Sequence, residues 1–96
     1  MFERDIEHKV VEYAKSKGLH PYKFVSPSHR SVPDRMILCP GGKVFFIEFK
    51  REGKKPTILQ EREHERMRDL GHKVYIVDNV TYGIHIIDHH VSLTWS

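Results

Sequence analysis

The sequence predicts an α/β protein in which a central mixed sheet is flanked by helices, with its elements in the order αβββαβ followed by a tail. Two observations predict this class. Apolar residues recur every three or four positions in the segments expected to be helical. Between these segments, short apolar runs are bounded by glycine and proline, as strands are. A chain of 96 residues fits one domain, expected to span residues 1–96.

Each element has its own signal in the sequence. The apolar side chains of residues 2–17 fall on one helical face, and Gly18 follows where a helix would end. The turn PGG at 40–42 separates two apolar runs and predicts a hairpin. The tail from Asn79 to Ser96 is open between a helix and a strand. In chain order we expect a helix at 2–17, strands at 19–27, 35–39 and 43–50, a helix at 57–70 and a strand at 72–78.

Composition narrows the class of protein. Charged residues make up 30% of the chain and hydrophobic residues 39%, which is typical of a globular protein rather than a disordered one. No apolar run approaches the ~18–20 residues that a membrane-spanning helix needs, and the charged N-terminus does not resemble a signal peptide. Because the single cysteine, Cys39, cannot form an internal disulfide, we expect a reducing, intracellular (cytoplasmic) setting.

The last predicted hairpin strand carries charges that an ordinary buried strand lacks. Side chains alternate between the faces of a strand, so Glu48 and Lys50 share one face. Asp34 lies as far before Gly41 as Glu48 lies after it, so the two carboxylates can be cross-strand neighbours. Carboxylates about 5 Å apart repel unless they share a proton or a divalent ion. Hard oxygen ligands favour magnesium or manganese.

Glu7, on the edge of the inward face of the first helix, can offer a third carboxylate. Acidic groups, a divalent ion and the lysine at position 50 form a set suited to phosphodiester hydrolysis. Each residue also has a structural interpretation. Glu48 and Lys50 can be an ordinary ion pair, and Asp34 follows a proline in a position typical of turns. The matching register and the basic loop that follows favour the site.

The motif PD at 33–34, followed by EFK at 48–50, resembles the PD-(D/E)xK signature of the restriction-endonuclease-like nucleases. The finer similarity is to the VRR-NUC (virus-type replication-repair nuclease) family, through KFVSP, VPDR, PGG, FIEFK and LQEREHERMRDLGHKVYIVD. These motifs occur in consistent order over residues 3–79. Ser31 departs from the pattern, since the family usually has glycine before Val-Pro-Asp, and we expect a different loop shape with the ligands kept.

This resemblance implies a restriction-endonuclease-like fold and a metal-dependent endonuclease acting on DNA with Mg²⁺ or Mn²⁺. Gln60 becomes an active-site accessory, although Thr57 and Gln60 also read as a capping box at the start of a helix. By position, the metal ligands are Asp34, Glu48 and the backbone carbonyl of Phe49, with Glu7 at the metal or its water and Lys50 as the catalytic lysine.

DNA contacts are expected from basic residues around this site: Arg51, Lys54 and Lys55 in the loop, with Arg30 and Arg35. One centre in a chain of 96 residues cuts one strand at a time, so cutting a branched substrate such as a Holliday junction predicts a homodimer. Stand-alone VRR-NUC-like proteins point the same way, and a phage or prophage source in a bacterial host is compatible with it. The leftover apolar tail residues Val91, Leu93 and Trp95 are the expected dimer surface.

Two rival functions are compatible with the same sequence. One is a non-catalytic nucleic-acid-binding module with the same fold. The other is a small zinc protein organised by the tail histidines, since His85 and His89 have the i, i+4 spacing of zinc ligands on a helix. We favour surface imidazoles for these, for His90 and for His64 on the charged helix. Arg62, Arg66 and Arg68 are expected to form a solvated helix face, the usual role of such charge runs.

Overall fold

The structure, a computed structural model, describes residues 1–95, with side chains as far as Thr94. The helices are α1 (Glu3–Ser16), α2 (Ile58–Asp69) and α3 (Val80–Trp95), and the strands are β1 (His20–Lys23), β2 (Arg35–Leu38), β3 (Val44–Phe49) and β4 (Val74–Val77). The four strands form one sheet in the order β1-β2-β3-β4. The first two pairings are antiparallel and the third is parallel. The predicted mixed sheet and the order αβββαβ are confirmed.

The connection from β2 to β3 sets the register on which the site depends. Gly41 and Gly42 adopt φ values of +78° and +77°, a region that favours glycine. The tight turn pairs Arg35 with Ile47 and Met36 with Phe46. One step further along the same register, Asp34 lies opposite Glu48, as the count of residues from the turn predicts.

Side chains that alternate along β3 divide the interior into two parts. Phe45, Ile47 and Phe49 pack with α1 and α3 on one face of the sheet. Phe46 packs on the other face with Met67 of α2, and Val74, Phe24 and Met36 complete that smaller cluster. A strand with both faces covered explains why β3 is apolar almost throughout. Within residues 1–95, no helix has the length and apolar character needed to cross a bilayer.

The tail is a helix, which decides between the two alternatives that the sequence leaves open. The Asn79 side chain accepts a hydrogen bond from the Tyr82 amide (2.8 Å) and so caps the start of α3. Gly83 lies against Val10 of α1, where any Cβ atom would overlap the valine side chain. The two helices therefore pack at close range. At the other edge of the sheet, β1 is shorter than the strand predicted at 19–27. The Phe24 amide donates a last hydrogen bond to the Asp34 carbonyl, and the chain then leaves the sheet.

Candidate active site

The two predicted carboxylates meet where β2 begins and β3 ends. Asp34 immediately precedes β2, and one of its oxygens, Oδ2, accepts a hydrogen bond from the Phe49 backbone amide at 2.8 Å. Glu48 occupies the penultimate position of β3, on the face that packs against α2. The main chain of one strand thus holds the acidic residue of the other, which fixes both carboxylates at one end of the sheet.

Glu48 is buried, with 3% of its surface exposed. Its Oε2 atom lies 3.5 Å from Lys50 Nζ and accepts a hydrogen bond from Gln60 Nε2 at 3.2 Å. Its Oε1 atom is buried and has no hydrogen-bond partner within residues 1–95. A buried carboxylate with one satisfied and one unsatisfied oxygen is costly unless another group or ion compensates it.

The negative charges of Asp34 and Glu48 are not fully compensated by the neighbouring lysine. Burial, followed by the charge of Asp34, raises the pKa of Glu48 to about 7, while Lys50 opposes this shift. Burial also raises the pKa of Asp34, and the charges of Glu7 and Glu3 add to it. The Phe49 amide and Lys50 act in the opposite direction but leave the pKa of Asp34 raised. The site therefore has a greater tendency to bind a proton or a cation than either carboxylate has alone.

The donor chemistry fits a magnesium or manganese ion. Asp34 and Glu48 are hard oxygen donors, and one oxygen of Glu48 is buried without a partner. No group of three or more His, Cys, Asp or Glu side chains within the described chain is arranged to hold a metal. Mg²⁺ commonly takes one or two carboxylates and fills its other positions with water and phosphate oxygens, whereas structural zinc needs four protein ligands. A two-carboxylate set matches the first pattern.

Glu7 reaches the same end of the sheet from α1 but already has a cationic partner. Its Oε2 atom accepts a hydrogen bond from Arg35 Nε at 2.7 Å, and Arg35 also donates to the Pro21 carbonyl. Glu7 therefore acts on Asp34 through its charge, and Arg35 is available to DNA only where this ion pair opens. Glu3, which sequence reasoning missed, also contributes: its negative charge helps to raise the pKa of both Asp34 and Glu48. Its position four residues before Glu7 on the same helix was the available signal.

Gln60 makes both sets of contacts that the sequence left as alternatives, those of a capping box and those of a residue beside Glu48. Its side-chain oxygen, Oε1, accepts a hydrogen bond from the Thr57 backbone amide at 3.0 Å. The Gln60 backbone amide donates to Thr57 Oγ1 at 3.2 Å, which completes a capping box. Its Nε2 group meanwhile donates to Glu48. The first turn of α2 is thereby connected directly to the buried carboxylate.

His64 contradicts the expectation of a solvated imidazole, because only 1% of its surface is exposed. Its Nε2 atom lies 3.9 Å from Glu48 Oε1. Burial, with help from the charges of Arg68 and Lys50, lowers the pKa of His64 to about 4, so the ring is neutral near pH 7. The signal in the sequence was its position on α2, since it follows Gln60 by four residues and precedes the buried Met67 by three.

Many of the exposed basic residues lie in two groups, one in the loop after β3 and one beside α2. Arg51, Lys54 and Lys55 are exposed in the loop after β3, which a hydrogen bond from the Gly53 amide to Asp78 ties to the end of β4. A second group surrounds an open cavity of about 430 Å³ between α2 and the loop that leads to Asp34. Its lining residues are Ser28, His29, Arg30, Ser31, Leu59, Arg62, Glu63 and Arg66.

The three arginines expected on a solvated face of α2 are all exposed, and two of them also make hydrogen bonds within the protein. Arg62 and Arg66 line that cavity, and Arg66 is bonded to Glu63 at 2.7 Å. Arg68 instead donates two hydrogen bonds to the Val74 carbonyl. It therefore fastens α2 to β4 while remaining an exposed residue.

The tail histidines do not assemble a metal site. His90 is buried and stacks on Phe45, with ring centroids 3.9 Å apart, and its Nε2 atom lies 2.8 Å from Tyr75 Oη. The expectation of a surface imidazole is wrong for this residue, while His85 and His89 are exposed. His90 is a core residue because α3 presses it onto the sheet.

Comparisons with known proteins bear on the family and the fold. No family model matches the chain. A protein of Acyrthosiphon pisum secondary endosymbiont phage 1, described as "Putative nuclease p44", is 47% identical over 77 residues, which cover 80% of this chain and 83% of the phage protein. A solved structure of a VRR_NUC domain superposes with a TM-score of 0.84 at 29% identity, and covers 92% of this chain and 96% of that domain. The chain belongs to the VRR-NUC family of nucleases.

Proposed function

We propose that this nuclease is an endonuclease that hydrolyses DNA phosphodiester bonds with Mg²⁺ or Mn²⁺. The observation that carries the proposal is the buried Glu48 next to Asp34, with an unpartnered oxygen and one neighbouring lysine. A divalent ion compensates the charge that burial and mutual repulsion leave on the two carboxylates.

The residues divide the chemistry among them. Asp34, Glu48 and the Phe49 carbonyl would hold the ion, and Glu7 would contact it through water. When bound, the ion supplies stabilisation of negative charge on the phosphate and acidifies a water. The Lys50 ammonium, held beside Glu48, donates hydrogen bonds to the reacting phosphate and the attacking water. Gln60 keeps the Glu48 carboxylate oriented through its Nε2 group. The water oxygen bonds to phosphorus and gives up a proton to solvent, and the phosphorus–oxygen bond to the leaving sugar breaks as that oxygen takes up a proton from solvent.

The two basic groups would carry the DNA backbone on either side of this centre. The loop residues Arg51, Lys54 and Lys55 are exposed after β3, and Arg30 lies with Arg62 and Arg66 around the cavity beside α2. Such contacts are made to phosphates and not to bases, so they bind DNA of any sequence. Replacing Lys54 and Lys55 with alanine should flatten the salt dependence of binding by at most about two units of slope.

We further propose that two copies act together on branched DNA such as a Holliday junction. One centre per chain cuts one strand, and a two-fold dimer presents two centres to the two similar strands of a junction. Of the expected dimer surface, Val91 packs partly against the core and Leu93 is 42% exposed, while the side chain of Trp95 lies outside the described residues. The domain prediction, residues 1–96 as one nuclease unit, is part of the same proposal.

A cleavage assay tests the metal-dependent chemistry. A four-way junction and a linear duplex of equal length are incubated with Mg²⁺, with Mn²⁺ and with a chelator. Asp34→Asn, Glu48→Gln and Lys50→Ala should each lower cleavage by at least about a hundredfold and keep DNA binding. Glu65→Gln removes an exposed carboxylate of α2 and serves as the control, with unchanged cleavage expected.

Two results would overturn this proposal. If Glu48→Gln cut DNA at the wild-type rate, the assignment of Glu48 as a metal ligand would be wrong. If the protein bound DNA tightly and cut it in neither ion, it would be the non-catalytic nucleic-acid-binding module instead. Light scattering decides the dimer separately. A monomer of about 11 kDa that cuts junction and duplex equally would end the junction proposal.

A further inference from the structure

Two buried polar atoms without partners lie opposite each other beneath α2. They are Glu48 Oε1 and His64 Nε2, and within residues 1–95 they are the buried side-chain nitrogen and oxygen atoms that lack a hydrogen bond. They are 3.9 Å apart, and both residues are almost fully buried. An unsatisfied buried donor or acceptor costs about 1–3 kcal/mol, so two that face each other call for an explanation.

The two groups are complementary in chemistry. A carboxylate oxygen accepts hydrogen bonds, and a neutral imidazole donates one from whichever nitrogen carries the proton. His64 is 1% exposed and its Nε2 atom faces Glu48 Oε1, so a ring with its proton on Nε2 is complementary to that oxygen. Shortening the contact by roughly 1 Å brings it into the range of a hydrogen bond.

We propose that His64 is a positioning residue for the nuclease reaction: its Nε2–H group donates to Glu48 Oε1 and holds the carboxylate in place beside Asp34. The inference rests on the proposed function, since it assigns Glu48 to the metal. Lys50 and Gln60 both approach the other oxygen, Oε2, so His64 is the group that fixes the second oxygen. Each carboxylate oxygen has two lone pairs, so Oε1 could accept from His64 and still contact an ion, and with both oxygens held the carboxylate plane is fixed.

The position of His64 on α2 supports a role beyond packing. A histidine at this depth could be replaced by an apolar residue of similar size with no loss of buried area. Gln60 and His64 lie one turn apart on the same helix, and both approach Glu48 from above the sheet. The capping box fixes the start of that helix, so the two side chains act from one rigid support. Partners of this kind usually change metal affinity or activity by 10- to 100-fold when removed.

Two substitutions separate positioning from packing. His64→Leu keeps an apolar volume and removes the donor, whereas His64→Gln keeps an N–H donor at a similar distance from the backbone. His90→Leu, on the opposite face of the sheet, is the matched control because it also removes a buried histidine. We expect His64→Leu to weaken Mn²⁺ binding, measured by calorimetry, by about 10- to 100-fold and to lower kcat more than it changes KM. His64→Gln should recover most of both, and His90→Leu should bind Mn²⁺ as the wild type does.

A metal-free measurement tests the contact independently of the proposed function. The shift in urea midpoint caused by His64→Leu is compared in the wild type and in Glu48→Gln. Equal shifts mean that the two side chains do not interact, and the inference is then wrong. Unequal shifts together with wild-type Mn²⁺ affinity in His64→Leu also overturn it, because the contact would not position a metal ligand. If the shifts are unequal but the wild type binds no Mn²⁺, the hydrogen bond is present but does not position a metal ligand. The proposed metal-dependent function is then wrong as well. Unequal shifts with the expected loss and rescue of Mn²⁺ binding support both.

Discussion

The two faces of the sheet contrast in what they bury. The face covered by α1 and α3 is packed with apolar side chains of β3 and both helices, including Phe45, Phe49 and Ile87. The face covered by α2 has a small cluster around Phe46 and Met67, and beside it the buried Glu48 and His64. One strand, β3, contributes to both faces through the alternation of its side chains.

This difference places most of the apolar core on one face and the candidate active site on the other. Apolar burial on the α1–α3 side stabilises the fold at about 25 cal/mol per Å² of surface removed from water. On the α2 side, a raised pKa and unpartnered atoms mark a site whose groups are costly to bury and useful to a ligand. A small nuclease can tolerate the burial of Glu48 and His64 on one face because the opposite face of the same strand is an ordinary core.

The largest expected effect is on the α1–α3 face. Phe45→Ala removes a fully buried ring that also stacks on His90, and should lower the free energy of unfolding by about 3–5 kcal/mol. Phe2→Ala, at a phenylalanine that is 62% exposed, is the control and should change it by less than about 0.5 kcal/mol. Urea denaturation followed by circular dichroism measures both. Similar effects of the two substitutions would show that this face is not the main core.

An effect of opposite sign is expected on the α2 face. Burial raises the pKa of Glu48 from 4.5 to about 7, so the metal-free folded protein binds this proton more tightly than the unfolded chain does. Stability is therefore lost as pH rises through this range. Glu48→Gln removes that loss and should be more stable than wild type by about 1–3 kcal/mol near pH 8, with a smaller difference near pH 5.

The lowered pKa of His64 and of His90 makes stability rise with pH in acid. Both histidines are present in the two proteins, so their contribution largely cancels in the comparison. Urea titrations of wild type and Glu48→Gln at several pH values measure the difference. A difference in the free energy of unfolding that is constant with pH would mean that burial does not raise the pKa of Glu48.

The contact between α1 and α3 should be sensitive to one methyl group. Gly83→Ala places a Cβ atom against Val10, and should lower the free energy of unfolding by about 1–2 kcal/mol in spite of the better helix propensity of alanine. Thr81→Ala, on the exposed side of the same helix, is the matched control and should be nearly neutral. Thermal unfolding of the two variants is sufficient. Stabilisation by Gly83→Ala would show that the helices can separate without cost.

The smallest effect compares two helix caps. Asn79→Ala at α3 and Thr57→Ala at α2 each remove a side-chain cap and should cost about 1 kcal/mol of stability. Only Thr57→Ala should also lower cleavage, because its partner Gln60 is bonded to Glu48. Cleavage is measured well below the unfolding temperature of both variants. Equal activity in the two variants would disconnect the α2 cap from the site.

Much of the site could be predicted from the sequence because it depends on local chemistry. The length of the turn at 40–42 fixes the register, and with it the proximity of Asp34 and Glu48. Alternation along β3 puts Glu48 on the face opposite Phe45 and Ile47. The capping box of Gln60 is equally local, since its two residues are three positions apart.

Other parts were decided by the tertiary structure. The tail is a helix because it packs closely on α1 at Gly83, a contact between residues far apart in the sequence. His64 and His90 are buried because α2 and α3 press them onto the sheet, although both side chains are polar and glutamates flank His64 on both sides. Periodicity predicts which face a residue lies on, but the depth of burial depends on what covers that face. The sequence by itself therefore determined the carboxylate pair, and only the packing of the helices decided which groups surround it.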